Sequence, residues 1–421
     1  MNWSLSNFGK NYSQHTGINE LMDDLGTAMS GRKTYRMLGG GNPAHIPALE
    51  AVWRSAWTQI ADTPEHLERV LGNYDTPQGN PDFLEALATS LSVRYGWRLG
   101  PEHIAVVNGS QNAFFYLLNM FQRKSSGDEP AEVLLPLAPE YIGYADQLLP
   151  GTCFRAIPPT LELLGDHRFK YHIDFDQLHL RGTTSAICVS RPTNPTGNVL
   201  TNEEMHRLNA LAAEAQIPLI VDNAYGAPFP DIIFNGATPL WTEHTVLVMS
   251  LSKLGLPGTR TGIILGPPEL IRAVAGMNAV VGLANGNIGQ AIATPLLHDG
   301  RLYDMSQQVI RPFYEQKSRQ AMAWLDDALT DSLPYRIHVS EGALFLWIWM
   351  EDLPISSREL YQRLKQRGVL VVSGHYFFYG LESPHPHANE CLRLSYAQGD
   401  NVVQEGVAIL AEEVAQAYAN G

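Results

Sequence analysis

The sequence predicts an α/β protein with a large domain on a mainly parallel sheet and a smaller α+β domain. Three observations support this prediction: the length of 421 residues, the alternation of short apolar runs with helical stretches, and a change of pattern near residue 300. A chain of this length exceeds one ordinary compact domain. We therefore expect an N-terminal segment at 1–50 that packs with the small domain, a large domain at 51–300 and a small C-terminal domain at 301–421.

Six apolar runs predict the strands of the large domain. They are HIAVVNGS (103–110), AEVLLPLAPEY (131–141), TSAICVS (184–190), IPLIVDNAY (217–225), TVLVMSLSK (245–253) and TGIILG (261–266). Nearly continuous apolar runs are typical of strands that are covered on both faces. Helical patterns at 111–122 and 201–215 separate them, and the second begins with a cap at Thr201 or Asn202 followed by early glutamates. This alternation predicts a mainly parallel sheet.

The part of the chain after residue 300 has a different pattern. A long helical region covers about 300–330, and further helical stretches lie at 356–368 and about 401–419. Strand-like runs are GALFLWIWM (342–350), VLVVSG (369–374) and CLRLSYA (391–397). These elements predict the smaller α+β domain.

Composition excludes several classes of partner. The net charge of −14 disfavours a nucleic-acid or anionic-membrane surface. Cys153, Cys188 and Cys391 lie far apart without CxxC spacing, which favours a reducing compartment. The N-terminus has no signal-peptide core, no apolar run approaches a membrane span, and the histidines lack metal-ligand spacing. We expect a soluble cytoplasmic protein without a metal.

Polar residues follow the predicted strands where the strands end. These residues are Asn108, Gly109, Ser110, Asn194, Asp222, Tyr225, Ser250, Ser252 and Lys253. Open α/β sheets bind ligands at the carboxyl ends of their strands. Taken singly, Lys253 could be a surface lysine, Asn194 a turn residue and Ser110 a plain helix cap. Together they place an amine, a carboxylate, an amide, a phenol and an anion site along one edge.

This set of groups suits pyridoxal 5′-phosphate (PLP). A lysine amine forms a Schiff base with an aldehyde. A carboxylate keeps a pyridine nitrogen protonated, so that the ring acts as an electron sink. An amide and a phenol can bond the ring oxygen. A helix N-terminus holds a phosphate, and Arg260 adds a charge-assisted hydrogen bond.

Four motifs resemble the signature blocks of the fold-type I, class I/II aminotransferases, in the right order: SRPTNPTGNV, VDNAYG, SLSKLGLPGTRTG and RLSY. More narrowly, several blocks resemble the valine–pyruvate subfamily: MLGGGNPA, NYDTPQG, NGSQNAFFYLLN, PLAPEYIGYAD and DNAYGAPFPDIIF. The resemblance implies a PLP-dependent transaminase acting on an aliphatic amino acid and a 2-oxo acid. It further implies that L-valine and pyruvate give 3-methyl-2-oxobutanoate and L-alanine.

The resemblance also implies roles for the matching residues around the cofactor. Lys253 would bind PLP and move the substrate Cα proton, and Asp222 would pair with the pyridine nitrogen. Tyr225 and Asn194 would bond the ring oxygen, and Tyr141 would stack on the ring. The phosphate would be held by Gly109, Ser110, Gln111, Ser250 or Ser252, and Arg260.

A second set of roles concerns the substrate and a neighbouring subunit. Arg393 matches the arginine that grips the substrate α-carboxylate, which Asn194 and the backbone at Gly40 or Gly41 would approach. Tyr74 would reach the phosphate in a neighbouring subunit, which implies a homodimer with shared sites. Candidates for the apolar side-chain pocket are Ile18, Met22 and Tyr35. The simpler alternatives are a surface cation for Arg393 and a core or interface tyrosine for Tyr74.

Two other functions use the same residues differently. A carbon–sulfur β-lyase would need the same cofactor site. A regulator that senses PLP would carry an additional N-terminal DNA-binding domain, for which the motifs, beginning near residue 38, leave no room. The acidic net charge also disfavours the regulator.

Overall fold

The structure, a computed structural model, describes residues 4–12, 16–29, 35–121, 129–330 and 332–420. The strands of this part of the chain are β1 Arg36–Met37, β2 Ile104–Val107, β3 Ala131–Leu135, β4 Thr152–Ala156, β5 Thr160–Leu164, β6 Arg168–His172, β7 Thr184–Ser190, β8 Leu219–Asp222, β9 Thr245–Ser250, β10 Gly262–Leu265, β11 Tyr335–His338, β12 Phe345–Met350, β13 Val369–Leu370, β14 Val372–Ser373 and β15 Cys391–Ser395.

The α-helices of the same residues are α1 Asn7–Tyr12, α2 Gly17–Met29, α3 Pro47–Ala61, α4 Pro64–Gly72, α5 Pro81–Tyr95, α6 Ser110–Met120, α7 Asn202–Ala215, α8 Pro268–Gly282, α9 Ile288–His298, α10 Arg301–Met305, α11 Arg311–Leu329, α12 Ser357–Gln366, α13 His387–Glu390 and α14 Asp400–Asn420. The long helical region predicted at 300–330 is interrupted by a π-helical turn at Ser306–Ile310. Among the described residues, no helix is long and apolar enough to cross a membrane.

A seven-stranded sheet has the order β2-β10-β9-β8-β7-β3-β4. All of its strands run in the same direction except β10, which is antiparallel to both of its neighbours. Each of the six predicted runs of the large domain contains one of these strands, and β4 was not predicted. The prediction of an α/β fold with a mainly parallel sheet is confirmed.

The faces of this sheet explain why its strands are apolar throughout. Ile187 and Val189 of β7 belong to one buried cluster, and their neighbours Ala186 and Cys188 belong to another on the opposite face. A strand that packs on both faces favours apolar side chains along its length, unless a polar side chain finds a partner. The polar residues are therefore concentrated at the strand ends.

A six-stranded sheet has the order β14-β15-β12-β11-β6-β5. Its β5–β6 hairpin comes from residues 160–172, inside the region predicted as the large domain, and β6 pairs in parallel with β11. The predicted run at 369–374 divides between β13, which pairs with β1, and β14. The domain boundary near residue 300 stays a prediction.

The predicted start of α7 is confirmed by its capping. The Thr201 hydroxyl accepts a hydrogen bond from the Glu204 amide at 3.1 Å, and the Glu204 carboxylate accepts one from the Thr201 amide at 2.7 Å. This reciprocal capping box satisfies two amides that an α-helix leaves without acceptors. The turn that carries Asn194 precedes this helix.

Candidate active site

The parallel strands of the seven-stranded sheet end at one edge, and predicted site residues lie there. Asp222 is the last residue of β8 and Ser250 the last of β9, while Asn108–Ser110 follow β2. Asn194 follows β7 in a buried turn. Arg393 comes from β15 of the other sheet, so the site combines both sheets.

Lys253 lies on a short 3-10 turn, Ser252–Leu254, directly after β9. Its Nζ donates a hydrogen bond to the Gly41 carbonyl at 2.5 Å and lies 5.3 Å from the centroid of the Tyr225 ring. Removal of the amine from water lowers its pKa to about 8, and the positive charge of Arg393 acts in the same direction. A larger fraction of this amine than of an ordinary lysine is therefore neutral and nucleophilic near neutral pH.

Asp222 is a buried carboxylate with two donors from its own chain. The Tyr144 hydroxyl donates to its Oδ2 at 2.5 Å, and the Ala224 amide donates to its Oδ1 at 3.0 Å. Burial raises the pKa of Asp222, whereas these two hydrogen bonds and the positive charge of Lys253 lower it. Such a carboxylate can accept a further hydrogen bond from a protonated ring nitrogen.

Arg393 is a buried cation without a counterion among the described residues. Its side chain is almost fully inaccessible, with 2% of the residue exposed. Nη1 donates to Asn194 Oδ1 at 2.6 Å and Nη2 to the Gly39 carbonyl at 2.7 Å, while Nε has no partner in the described part of the chain. No carboxylate of the described residues lies within ion-pair distance of the guanidinium.

The surroundings of Arg393 are apolar. Its guanidinium carbon lies 4.1 Å from the centroid of the Phe345 ring and 5.4 Å from that of Phe377. Burial lowers the pKa of Arg393 to about 10, so it stays charged at neutral pH. A guanidinium held in this way favours a planar anion such as a carboxylate, which it can bind with two parallel hydrogen bonds.

A possible anion site lies at the start of α6. Gly109 precedes this helix with a φ of +87°, and a Cβ there would come within 1.9 Å of Arg260 Nη2. Only glycine therefore lets the guanidinium approach the helix N-terminus, whose first amides have no intrahelical acceptor. Ser250 Oγ, which donates to Ser252 Oγ at 2.9 Å, lies at the end of β9. These groups fit a phosphate.

Two aromatic residues and a glutamine complete the central cluster. Tyr225 is buried, and its ring packs edge-on against Phe345 with centroids 5.8 Å apart. The Tyr141 hydroxyl is 3.5 Å from Gln111 Oε1, and Gln111 Nε2 donates to the Gly143 carbonyl at 2.7 Å. Gln111 thus connects the first turn of α6 to the loop that carries Tyr141.

Other predicted residues lie outside this cluster or touch it differently. Tyr74 is 83% exposed, so it makes little contact within its own chain. Ile18 on α2 packs against the main apolar cluster, whereas Met22 is 59% exposed. Tyr35 is partly buried and also packs on that cluster. Gly40 is predicted to approach the substrate; the nearby carbonyls that bind the site cations are those of Gly39 and Gly41.

Three contributors to the site were not predicted from the sequence. Tyr144 donates to Asp222, the Gly39 carbonyl accepts from Arg393, and Glu140 binds the end of β7. The spacing of three residues between Tyr141 and Tyr144 is a signal that could have been used: Tyr141 precedes the 3-10 turn Ile142–Tyr144, and residues three apart share a face of such a turn. The contact of Gly39 depends on tertiary structure alone.

Comparison with known proteins gives a consistent result. Residues 41–409 match the family model described as aminotransferase class I and II. A valine–pyruvate aminotransferase of Escherichia coli (strain K12) is 47% identical over 416 residues, which cover 99% of each chain.

Solved structures are similar over the same length. A putative amino-acid aminotransferase from Psychrobacter arcticum 273-4 has a TM-score of 0.96 at 44% identity and covers 100% of both chains. Valine-pyruvate aminotransferase AvtA from Salmonella typhimurium LT2 has a TM-score of 0.88 at 48% identity and covers 96% of this chain and 100% of that one. An aspartate aminotransferase from Thermus thermophilus shares the fold, with a TM-score of 0.76 at 22% identity.

Proposed function

Because the chain belongs to the class I and II aminotransferases, we propose that it transfers the amino group of L-valine to pyruvate, giving 3-methyl-2-oxobutanoate and L-alanine. The chain is a PLP-dependent aminotransferase of fold type I. The choice of valine and pyruvate is supported by the 47% identity to the Escherichia coli protein of that name over the full length.

Arg393 is the observation that carries the proposal. The guanidinium of Arg393 is buried, donates only to an amide oxygen and a carbonyl, and has an Nε without a partner among the described residues, so it can bind an anion at the site. Every α-amino acid and every 2-oxo acid supplies a carboxylate adjacent to the reacting carbon. Arg393 would therefore bind both substrates of a transamination in the same orientation.

The central residues fit the ring and aldehyde of PLP. When bound, PLP supplies an electron sink that acidifies the Cα–H bond of the amino acid. Lys253 Nζ would hold the aldehyde carbon until the amine of the substrate displaces it, and the freed Nζ would then move the proton between the substrate Cα and that carbon. Asp222 would accept a hydrogen bond from the ring nitrogen and keep it protonated. Tyr225 and Asn194 would donate to the ring oxygen.

The outer residues fit the phosphate and the ring face. Gly109, Ser110 and Gln111 would supply the amides at the start of α6, and Arg260 the opposing charge. Either Ser250 or Ser252 would add a hydroxyl, since the two hydroxyls are hydrogen-bonded to each other. We further propose that Tyr141 stacks on the ring and that Ile18 contacts the substrate side chain.

We also propose a homodimer in which Tyr74 reaches the phosphate in the neighbouring subunit. Three further apolar residues at the end of α8 are exposed in the single chain: Val280, Val281 and Leu283. A Cβ added at Gly282 would lie 3.7 Å from Asn108 Nδ2. The exposed surface at the end of α8 therefore lies beside the proposed phosphate site. Exposed apolar side chains next to a site are typical of a surface that a second copy covers.

A reducing compartment is the proposed location, and the cytoplasm is our specific proposal. Cys153, Cys188 and Cys391 are all free thiols, and Cys188 and Cys391 are buried. Proteins that retain free cysteines are typical of reducing compartments.

A panel of amino donors tests the proposed specificity. With pyruvate as acceptor, kcat/KM is measured for L-valine, L-aspartate and L-cystathionine, using Lys253→Ala as the inactive control. L-valine is expected to give the largest value. A higher value for L-aspartate would overturn the substrate assignment. Release of pyruvate and ammonia from L-cystathionine in a separate assay without added pyruvate, together with no amino transfer when pyruvate is present, would identify a β-lyase instead.

A further inference from the structure

Glu140 is a buried carboxylate beside the site to which the proposed reaction assigns no role. Only 1% of the residue is exposed. Its Oε1 accepts hydrogen bonds from the Tyr141 amide at 2.8 Å and the Ser190 hydroxyl at 2.5 Å, and its Oε2 accepts one from the Ser190 amide at 2.9 Å. No cationic side chain of the described residues lies within ion-pair distance of it.

The position of Glu140 connects three parts of the site. Ser190, to which it binds, ends β7 and is the register partner of Asp222 at the end of β8. Glu140 directly precedes Tyr141, the proposed ring-stacking residue. Four residues after Glu140, Tyr144 donates to Asp222. The carboxylate therefore attaches the loop that carries both tyrosines to the strand next to Asp222.

The opposite side of the same loop is held by the segment after β14. The Glu140 amide donates to the Phe377 carbonyl at 3.0 Å, and the Tyr379 hydroxyl donates to the Tyr141 carbonyl at 2.8 Å. These bonds connect the loop to the segment after β14 and not to β7. Within the described part of the chain, the hydrogen bonds from this loop to the end of β7 are those of the Glu140 side chain.

A second buried glutamate of the same sheet shows what an ordinary structural carboxylate looks like here. Glu132 on β3 is neutralised by Arg155, whose Nε donates to it at 2.8 Å. Glu140 has neutral donors only, and burial raises its pKa to about 7. Burying the Glu140 carboxyl group without a cation costs free energy, and an apolar residue could fill the same space without that cost.

We propose that Glu140 is a positioning residue that holds Tyr141 and Tyr144 against Asp222 and thereby determines how tightly the site binds the PLP ring. The inference rests on the proposed location of PLP between these residues. Glu140 itself would not touch the cofactor or the substrate. A glutamine at this position would present an NH2 group to one of the two donors of Ser190, so the loop would shift away from β7.

Titration of the full-length protein with PLP tests this proposal. The dissociation constant and the visible absorption band of bound PLP are measured for the wild type, Glu140→Gln and the matched control Glu132→Gln, with thermal unfolding of each PLP-free protein. Glu140→Gln is expected to raise the PLP dissociation constant roughly 10- to 100-fold, as is usual for loss of charge-assisted bonds that orient a site, and to shift the band. It should lower kcat for L-valine while leaving KM unchanged.

The controls separate positioning from general stability and from the proposed function. Glu132→Gln should lower the unfolding temperature yet bind PLP with wild-type affinity; an equal loss of affinity in this control would overturn the proposal. Wild-type affinity and an unchanged band in Glu140→Gln would overturn it as well. A wild-type protein that bound no PLP would refute the proposed site, and this inference with it. If Glu140→Gln does not fold, Ser190→Ala decides: it should weaken PLP binding about threefold, and no change would overturn the proposal.

Discussion

Lys170 and Arg393 are both buried cations of the six-stranded sheet, but within the described residues only Lys170 faces a carboxylate. Lys170 on β6 is 8% exposed, and its Nζ donates to both oxygens of Glu341 at 2.7 Å. Arg393 on β15 donates instead to an amide oxygen and a carbonyl. Both residues lie on strands of the same sheet, so secondary structure does not account for the difference.

The difference shows how a structural charge can be recognised. Lys170 and Glu341 neutralise each other within the chain. The Nε of Arg393 has no partner among the described residues, and Arg393 lies at the proposed ligand site, so we expect the carboxylate of a ligand to supply its missing negative charge. Arg393 lies at the edge where Asp222 and Lys253 meet, whereas Lys170 does not contact that edge.

Lys253 extends the comparison to the seven-stranded sheet and gives the largest expected effect. Lys253→Ala should lower kcat by roughly 10⁴-fold or more, because the amine both binds PLP and moves the Cα proton. The measurement is alanine formation from L-valine and pyruvate, followed together with the visible absorption of the protein. Lys170→Met serves as the matched control and should keep kcat; comparable losses in the two variants would remove the distinction between functional and structural cations.

Arg393→Lys tests whether Arg393 recognises a carboxylate by hydrogen-bond geometry as well as by charge. A lysine keeps the positive charge but cannot form two parallel hydrogen bonds, so kcat/KM for L-valine should fall roughly 100-fold. The loss should appear mainly in KM, measured for both L-valine and pyruvate. Wild-type KM values for both substrates would contradict the assignment.

Glu341→Gln tests the structural role of the Lys170–Glu341 ion pair. Removing one partner of a buried ion pair leaves Lys170 without a counterion, which should lower the free energy of unfolding by about 3 kcal/mol. Denaturant titration measures this loss, and KM for L-valine should not change. A raised KM without loss of stability would show that the pair belongs to the substrate site.

The pH dependence of PLP capture gives the smallest expected effect. Because burial lowers the pKa of Lys253 to about 8, the neutral fraction of its amine should rise about tenfold per pH unit below pH 8 and then level off. Stopped-flow absorption of PLP binding to the PLP-free protein measures the rate. Asp222→Asn should move the midpoint to lower pH, since the Asp222 carboxylate raises the pKa of Lys253. A rate that continues to rise towards pH 10 would indicate an ordinary lysine.

Six strands of the seven-stranded sheet could be predicted from the sequence, whereas β4 of that sheet and β5, β6 and β11 of the six-stranded sheet could not. Strands that are buried on both faces have continuous apolar sequences. One example is TSAICVS, whose predicted bounds are those of β7. Strand β5, TLELL, is exposed along its whole length and carries no such signal. Its hairpin partner β6 joins β11 from a distant part of the chain, and pairing between distant segments leaves no local pattern.

Site residues divide in the same way. Lys253, Asp222 and Asn194 could be predicted because each follows a strand whose end is evident in the sequence. The bonds of Tyr144 to Asp222 and of the Gly39 carbonyl to Arg393 depend on how loops meet, which residue types alone do not specify.

The most direct test of Arg393 as the carboxylate receptor compares L-valine with isobutylamine, the same molecule without its α-carboxylate. The ratio of kcat/KM for the two donors is measured in the wild type and in Arg393→Ala, each with pyruvate as acceptor. The wild type should prefer L-valine by roughly 10³-fold, the discrimination expected of a buried charged hydrogen-bonding site, and Arg393→Ala should lose most of that preference. An equal ratio in the two proteins would contradict the account.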